Sequence, residues 1–211
     1  MNNYAVLWSG GKDGCLANYL YGQEGNICEK LFAYIGAEKK DIFISREVLH
    51  RQSECLGIPI EIYSDSSYYE FIRKVMEKCS AEGINTIVSG DAQQNSHMMI
   101  KVMASMGLNV CPVFPLLKFS ANDIAQKLTD LKYEIVVCSQ KKSIKQNILG
   151  MRYSKEFIQL CVNENIDVIG ELGEYHTIVT GGIGFAQSIN YKILEYNESE
   201  MFRNAVIGIV K

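Results

Sequence analysis

The chain has 211 residues, a formal net charge of -3, 47% hydrophobic and 21% charged residues, which suits one sizeable α/β domain with a small subdomain. The slight acidity excludes a broad electrostatic grip on nucleic acid and leaves room only for a local basic cleft. No apolar run approaches the ~18 residues that cross a bilayer, and the first residues read as a strand rather than a leader, so a cytoplasmic protein away from membranes is expected.

In chain order, candidate strands cover residues 4–8, 30–35, 60–63, 86–89, 109–112 and 134–138, with helices over 14–23, 43–56, 68–82, 96–106 and 121–131 between them. Within the fourth helix Met99, Val102, Met103 and Met106 share one face, a core pattern. Strand–helix alternation predicts an α/β fold with a doubly wound, mostly parallel, Rossmann-like sheet. Such sheets bind ligands beyond the carboxyl ends of their strands. That rule selects the loops after Trp8, Ile35, Tyr63 and Ser89.

After Cys138 the pattern changes. Residues 139–150 are polar and basic, with Lys141, Lys142 and Lys145 close together, most simply a solvated face, or else a surface for an acidic partner or RNA. A helix over 154–163 follows, then a Gly-rich tract over 170–184, then strands over 191–196 and 205–210 around a polar turn. Strand edges there permit a homodimer. The seven cysteines (Cys15, Cys28, Cys55, Cys79, Cys111, Cys138 and Cys161) form no CxxC pair. They read as small core residues of a reducing compartment, not as a disulfide or zinc framework.

The most informative stretch is "SGGKDG", between the first strand and the first helix. It lacks the spacing of GxxxxGK[ST], and the adjacent Gly10 and Gly11 break GxGxxG. Glycines let the backbone approach an anion, and a helix N-terminus offers N–H donors. Ser9 adds a hydroxyl and Lys12 a mobile positive charge. Asp13 suits a helix end or a phosphate-bound Mg²⁺.

This loop resembles the SGGxDS loop of the PP-loop ATP pyrophosphatases, which are adenine nucleotide alpha-hydrolase-like, HUP-type enzymes. They cut ATP between its α and β phosphates. Gly14 stands where that family has serine. "SGDAQQNSHMMIKVMASMGLNVCPVFPLL" (89–117), "GELGEYHTIVTGGIGF" (170–185), "QSECLGIPI" (52–60) and the pair Leu149 and Gly150 resemble, in the same order, the diphthine–ammonia ligase family. Met98, Leu117 and Leu172 depart from that family's pattern.

The resemblance implies adenylation of a carboxylate with ATP and Mg²⁺, then displacement of AMP by ammonia. The family's acceptor is diphthine on elongation factor 2. With the change of pattern after Cys138, the expected division is an ATP-binding domain over 1–138 and a substrate-side subdomain over 139–211. Ser9, Gly10, Gly11, Lys12, Asp13 and Gly14 would hold the nucleotide, with Ala33, Tyr34 and Gly36 at its base.

Lys12 offsets the repulsion of two anions. Glu171 and Glu174 supply acceptors for ammonium and a base to deprotonate it, or alternatively hold Mg²⁺ or form a solvated turn. Asp91, His97, Gly173 and His176 are further substrate-side candidates, Asp91 being equally suited to an N-cap. Other readings are a related adenylating enzyme acting on RNA or a small acid, and a non-catalytic protein that binds ATP or AMP. The missing CxxC weighs against a thiolase.

Overall fold

The computed structural model describes residues 2–36, 44–64, 67–92, 100–101, 105 and 107–210. The chain forms two compact units of three segments each. The first comprises Met1–Ser9, Asp13–Glu38 and Ile58–Lys118, and the second Gly10–Lys12, Lys39–Gly57 and Phe119–Lys211. No helix among the described residues is long and apolar enough to cross a membrane.

The first half of the chain carries α1 (Lys12–Gly22), α2 (Arg46–Leu56) and α3 (Tyr68–Glu82). The first unit is built on β1 (Asn3–Leu7), β2 (Ile27–Tyr34), β3 (Ile60–Tyr63), β4 (Thr86–Val88) and β5 (Cys111–Val113). These five strands form one parallel sheet in the order β3-β2-β1-β4-β5. The Rossmann-like α/β architecture is therefore present.

Strand order reverses between β1 and β4, the place where such sheets open a crevice for ligands. The sheet is covered by α3, whose Phe71, Ile72, Val75, Met76 and Cys79 are buried against Ala5, Leu7, Phe32 and Ile87. Burying each such side chain contributes about 1.5–3 kcal/mol. Ser67 caps the helix by accepting from Glu70 N, and Gly83 ends it at φ +73°.

The second unit carries an antiparallel sheet of four strands, ordered β7-β6-β9-β8. They are β6 (Glu134–Lys141), β7 (Tyr175–Gly181), β8 (Tyr191–Glu198) and β9 (Phe202–Ile209). Two helices, α4 (Ala121–Asp130) and α5 (Lys155–Asn163), belong to this unit with α2. Phe157 of α5 is fully buried and lies 5.5 Å from the Tyr153 ring and 5.4 Å from the Tyr175 ring, centroid to centroid.

Four differences from the sequence reading stand out. The strand expected over 134–138 does not join the parallel sheet. It extends to Lys141 as the interior strand β6, so the units do not divide at 138. The Gly-rich tract yields the buried strand β7. The polar turn shrinks to a tight hairpin in which Ser199 N donates to Phe202 O at 2.8 Å. Finally, β5 lies at Cys111–Val113, further along than 109–112. The helix expected over 96–106 falls largely outside the described residues, as do His97, Met98, Met99, Val102, Met103 and Met106.

Five of the seven cysteines are buried, Cys28 is half-buried and Cys111 is exposed. Burial raises Cys28 and Cys79 to about 12 and Cys161 to about 11, so these thiols stay protonated.

Candidate functional site

In the first unit, β1 runs into Trp8, which is buried and donates from its backbone N to Phe32 O at 2.7 Å. Ser9 follows and is exposed. Across the switch point, β4 leads to Ser89, Gly90 and Asp91. A Cβ on Gly90 would lie 2.6 Å from Asp13 C and from Gly14 N, so only glycine lets this turn approach the first turn of α1. Gly90 was missed in the sequence, because the need for it arises from a neighbour about 75 residues away in the chain. Ser89 Oγ donates to Asp91 Oδ2 at 2.8 Å. The Asp91 charge, after burial, also raises Tyr68 to about 12.

The Tyr68 ring stands edge-on to Tyr34, 5.7 Å between centroids, at the end of β2. Of the residues expected at the nucleotide base, Ala33 is buried within the β2–β3 ladder, where it pairs with Ile62. Tyr34 and Gly36 are half-buried at the strand end.

In the second unit, Gly10–Lys12 runs beside β7. Gly10 O accepts from Val179 N at 3.0 Å and from Gln52 Nε2 at 2.9 Å. Lys12 N donates to Thr177 Oγ1 at 3.2 Å. The Lys12 side chain is 3% exposed. Its Nζ donates to Ile169 O and sits 5.7 Å from the centre of the Tyr175 ring. In place of a mobile charge, the structure has a buried strut between this loop and the segment preceding GELGEYHT.

That segment is a tight turn organised by Asp167, another residue the sequence reading missed. Asp167 Oδ1 accepts from Ile169 N at 3.1 Å and Oδ2 from Glu171 N at 3.2 Å. Tyr153 and Tyr175 both donate their hydroxyls to Val168 O, at 2.8 and 2.7 Å. An Asp three residues before a glycine is the local signal that could have found this turn.

Gly170 and Gly173 hold φ +69° and +73° within the turn. Glu174 Oε1 accepts from Asp167 N at 3.3 Å. Glu174 Oε2 is buried and meets no hydrogen-bond donor among the described residues. Asp167 thus joins the two glutamates of the motif, receiving the amide of Glu171 and giving its own to Glu174.

His176 lies beside Phe202, 5.5 Å between ring centroids. Burial, with Lys12 and Lys141 nearby, lowers it to about 4 and keeps it neutral near pH 7. The three lysines do not form one basic face. Lys141 Nζ donates to Leu172 O at 2.7 Å, Lys142 pairs with Glu198 at 2.8 Å, and Lys145 is exposed.

A family model, the diphthamide synthase N-terminal domain, matches residues 2–110, just over half of the chain. The chain belongs to that family. No curated protein matches the sequence. Among solved structures, the chain is similar to a predicted subunit of a tRNA methyltransferase from Methanocaldococcus jannaschii. The identity is 16% and the TM-score 0.47, over 90% of this chain and 100% of that one.

As a diphthamide synthase N-terminal domain, the protein is an ATP-using enzyme of the PP-loop class. The matched residues contain the SGGKDG loop, Gln52 and the Ser89–Asp91 turn, whereas GELGEYHT lies beyond them.

Among the described residues no three His, Cys, Asp or Glu side chains gather as a metal cage. Mg²⁺ does not need one, since it is commonly held by one or two carboxylates together with substrate phosphates. Asp13 fits that requirement: it is an acid in the first turn of α1, and its Oδ1 is shielded from solvent.

Proposed function

We propose that the protein is an ATP-dependent amide-forming ligase that adenylates a carboxylate and amidates it with ammonia, releasing AMP and pyrophosphate. The observation supporting this reading most is Lys12. Its backbone N is on Thr177 and its Nζ on Ile169 O, so the phosphate loop is fastened to both flanks of the acidic motif. One lysine thereby links the segment suited to phosphate with the segment suited to ammonium.

In the first half-reaction the acceptor's carboxylate oxygen attacks the α-phosphorus, and the bond to the β-phosphate breaks. Ser9, Gly10 and Gly11 hold the departing pyrophosphate through hydroxyl and amide donors. Mg²⁺ on Asp13 supplies charge neutralisation when bound. Tyr34 and Gly36 flank the base. In the second half-reaction ammonia attacks the acyl carbon and AMP leaves. Glu174 Oε2, a buried oxygen with no donor among the described residues, accepts from ammonium and takes its proton. Glu171 provides a second carboxylate, and Gly173 gives the turn its shape. Neutral His176 and Asp91 contact the acceptor. That acceptor is diphthine on elongation factor 2 where the host makes it.

Purified protein with ATP, Mg²⁺, ammonium and candidate carboxylates should release AMP and pyrophosphate together. Release of ADP and phosphate would contradict the bond assigned. ATP binding without turnover on every carboxylate, diphthine-bearing factor included, would reduce the protein to a nucleotide binder.

A further inference from the structure

We infer that Gln52 is the positioning residue of the phosphate loop, holding the Gly10–Gly11 peptide in the orientation that an anion requires. The inference rests on the ligase reading for its consequence in turnover, but its geometry lies entirely in the second unit.

Gln52 sits on the inward face of α2 with Val48, Leu49 and Cys55, and it is fully buried there. A polar amide inside an apolar stripe costs stability unless its groups are satisfied. Its Nε2 donates twice, to Gly10 O at 2.9 Å and to Val179 O at 2.7 Å. Val179 N donates back to Gly10 O at 3.0 Å. Gly10 O is thus gripped by two donors, and one amide group spans the loop and β7.

A trans peptide points its C=O and N–H in opposite directions, so fixing Gly10 O fixes the direction of Gly11 N–H. A loop that binds phosphate must turn amides toward the anion and carbonyls away from it. Gly10 at φ +75° could otherwise let this peptide rotate. Bulk cannot substitute for the clamp. A Cβ on Gly10 would run into Ile44 and approach Gln52 Oε1 to 2.8 Å. Gln52 therefore reaches the loop only because glycine leaves the space.

The test uses the full-length chain with Gln52→Leu and Gln52→Glu. Leucine keeps the volume and loses both donors. An ionised glutamate has no donor for either carbonyl, while a protonated one regains a single donor. Inorganic pyrophosphate, ATP and adenosine are titrated separately by calorimetry at several pH values. Gln52→Leu should weaken pyrophosphate and ATP by about tenfold or more, the effect of losing a buried hydrogen bond, and leave adenosine unchanged. The pyrophosphate affinity of Gln52→Glu relative to the unsubstituted protein should fall as pH rises.

Equal losses for adenosine and pyrophosphate would mean general damage and overturn the inference. So would folded variants whose pyrophosphate affinity is unchanged at every pH. If the unsubstituted protein binds neither ATP nor pyrophosphate, the ligase reading fails instead. The clamp is then judged by amide exchange at Val179, which must accelerate in Gln52→Leu; unchanged exchange would sink it.

Discussion

Position 14 has room for a Cβ. A Cβ built there lies 3.7 Å from Leu7 O and 3.8 Å from the Trp8 ring, ordinary contact distances. Gly14→Ser should stabilise α1 by about 0.5 kcal/mol, because glycine is a poor helix former, and should tighten ATP binding. Thermal melts and ATP titrations check both. His176 makes a second prediction at this scale. Its folded value is lowered to about 4, whereas the unfolded chain titrates near 6.5. Between those values the unfolded state holds the extra proton. Stability from this group is therefore complete above about 6.5 and is lost as pH falls toward about 4. Urea denaturation across this window should show a shallower pH slope for His176→Gln than for the unsubstituted protein.

At the scale of elements, β8 is an outer strand of its sheet and carries features that disfavour pairing with other chains. Its ladder with β9 skips Leu194 in a bulge, and Lys192, Glu195 and Glu198 line the strand. Replacing Lys192 and Glu195 by threonine should produce concentration-dependent self-association, visible by light scattering. Elements whose signals are local were legible from sequence. The bounds of α3 and β3 match the expected 68–82 and 60–63, since Ser67, Gly83 and a short β-branched run mark them chemically. What was hidden is non-local. β6 has an apolar run like those of the parallel strands, and only its partners, all later in the chain, assign it to the antiparallel sheet. Gln52 left one overlooked trace, a polar residue at a core position of α2. SGGKDG and GELGEYHT raised expectations from residue type alone, whereas the Lys12 strut to Ile169 and the Gln52 clamp on Gly10 and Val179 had no local signal of their partners.

For the whole molecule, the consequence lies in how the chain is shared out. Each unit takes three segments, and the second includes Gly10–Lys12 from a region otherwise belonging to the first. A cut after 138 would leave most of β6 without β7 and β9, its two neighbours in the sheet. Fragment 1–138 should therefore precipitate or lack cooperative unfolding by circular dichroism, and fragment 139–211 should fare no better. Coexpression of the two halves, by contrast, should restore soluble material, because every strand then finds its partner.

The burial of Lys12 bears on chemical self-protection. Activated acids acylate amines, and an enzyme that makes them risks labelling any lysine beside the reacting carbon. Here the amine of the loop's lysine is shut away against a carbonyl and an aromatic ring. An amine-reactive anhydride applied to the folded protein should modify exposed Lys145 well before Lys12, by peptide mass mapping, and unfolding should erase the difference. Under the proposed ligase reading, a site that forms mixed anhydrides would keep this lysine without acylating it.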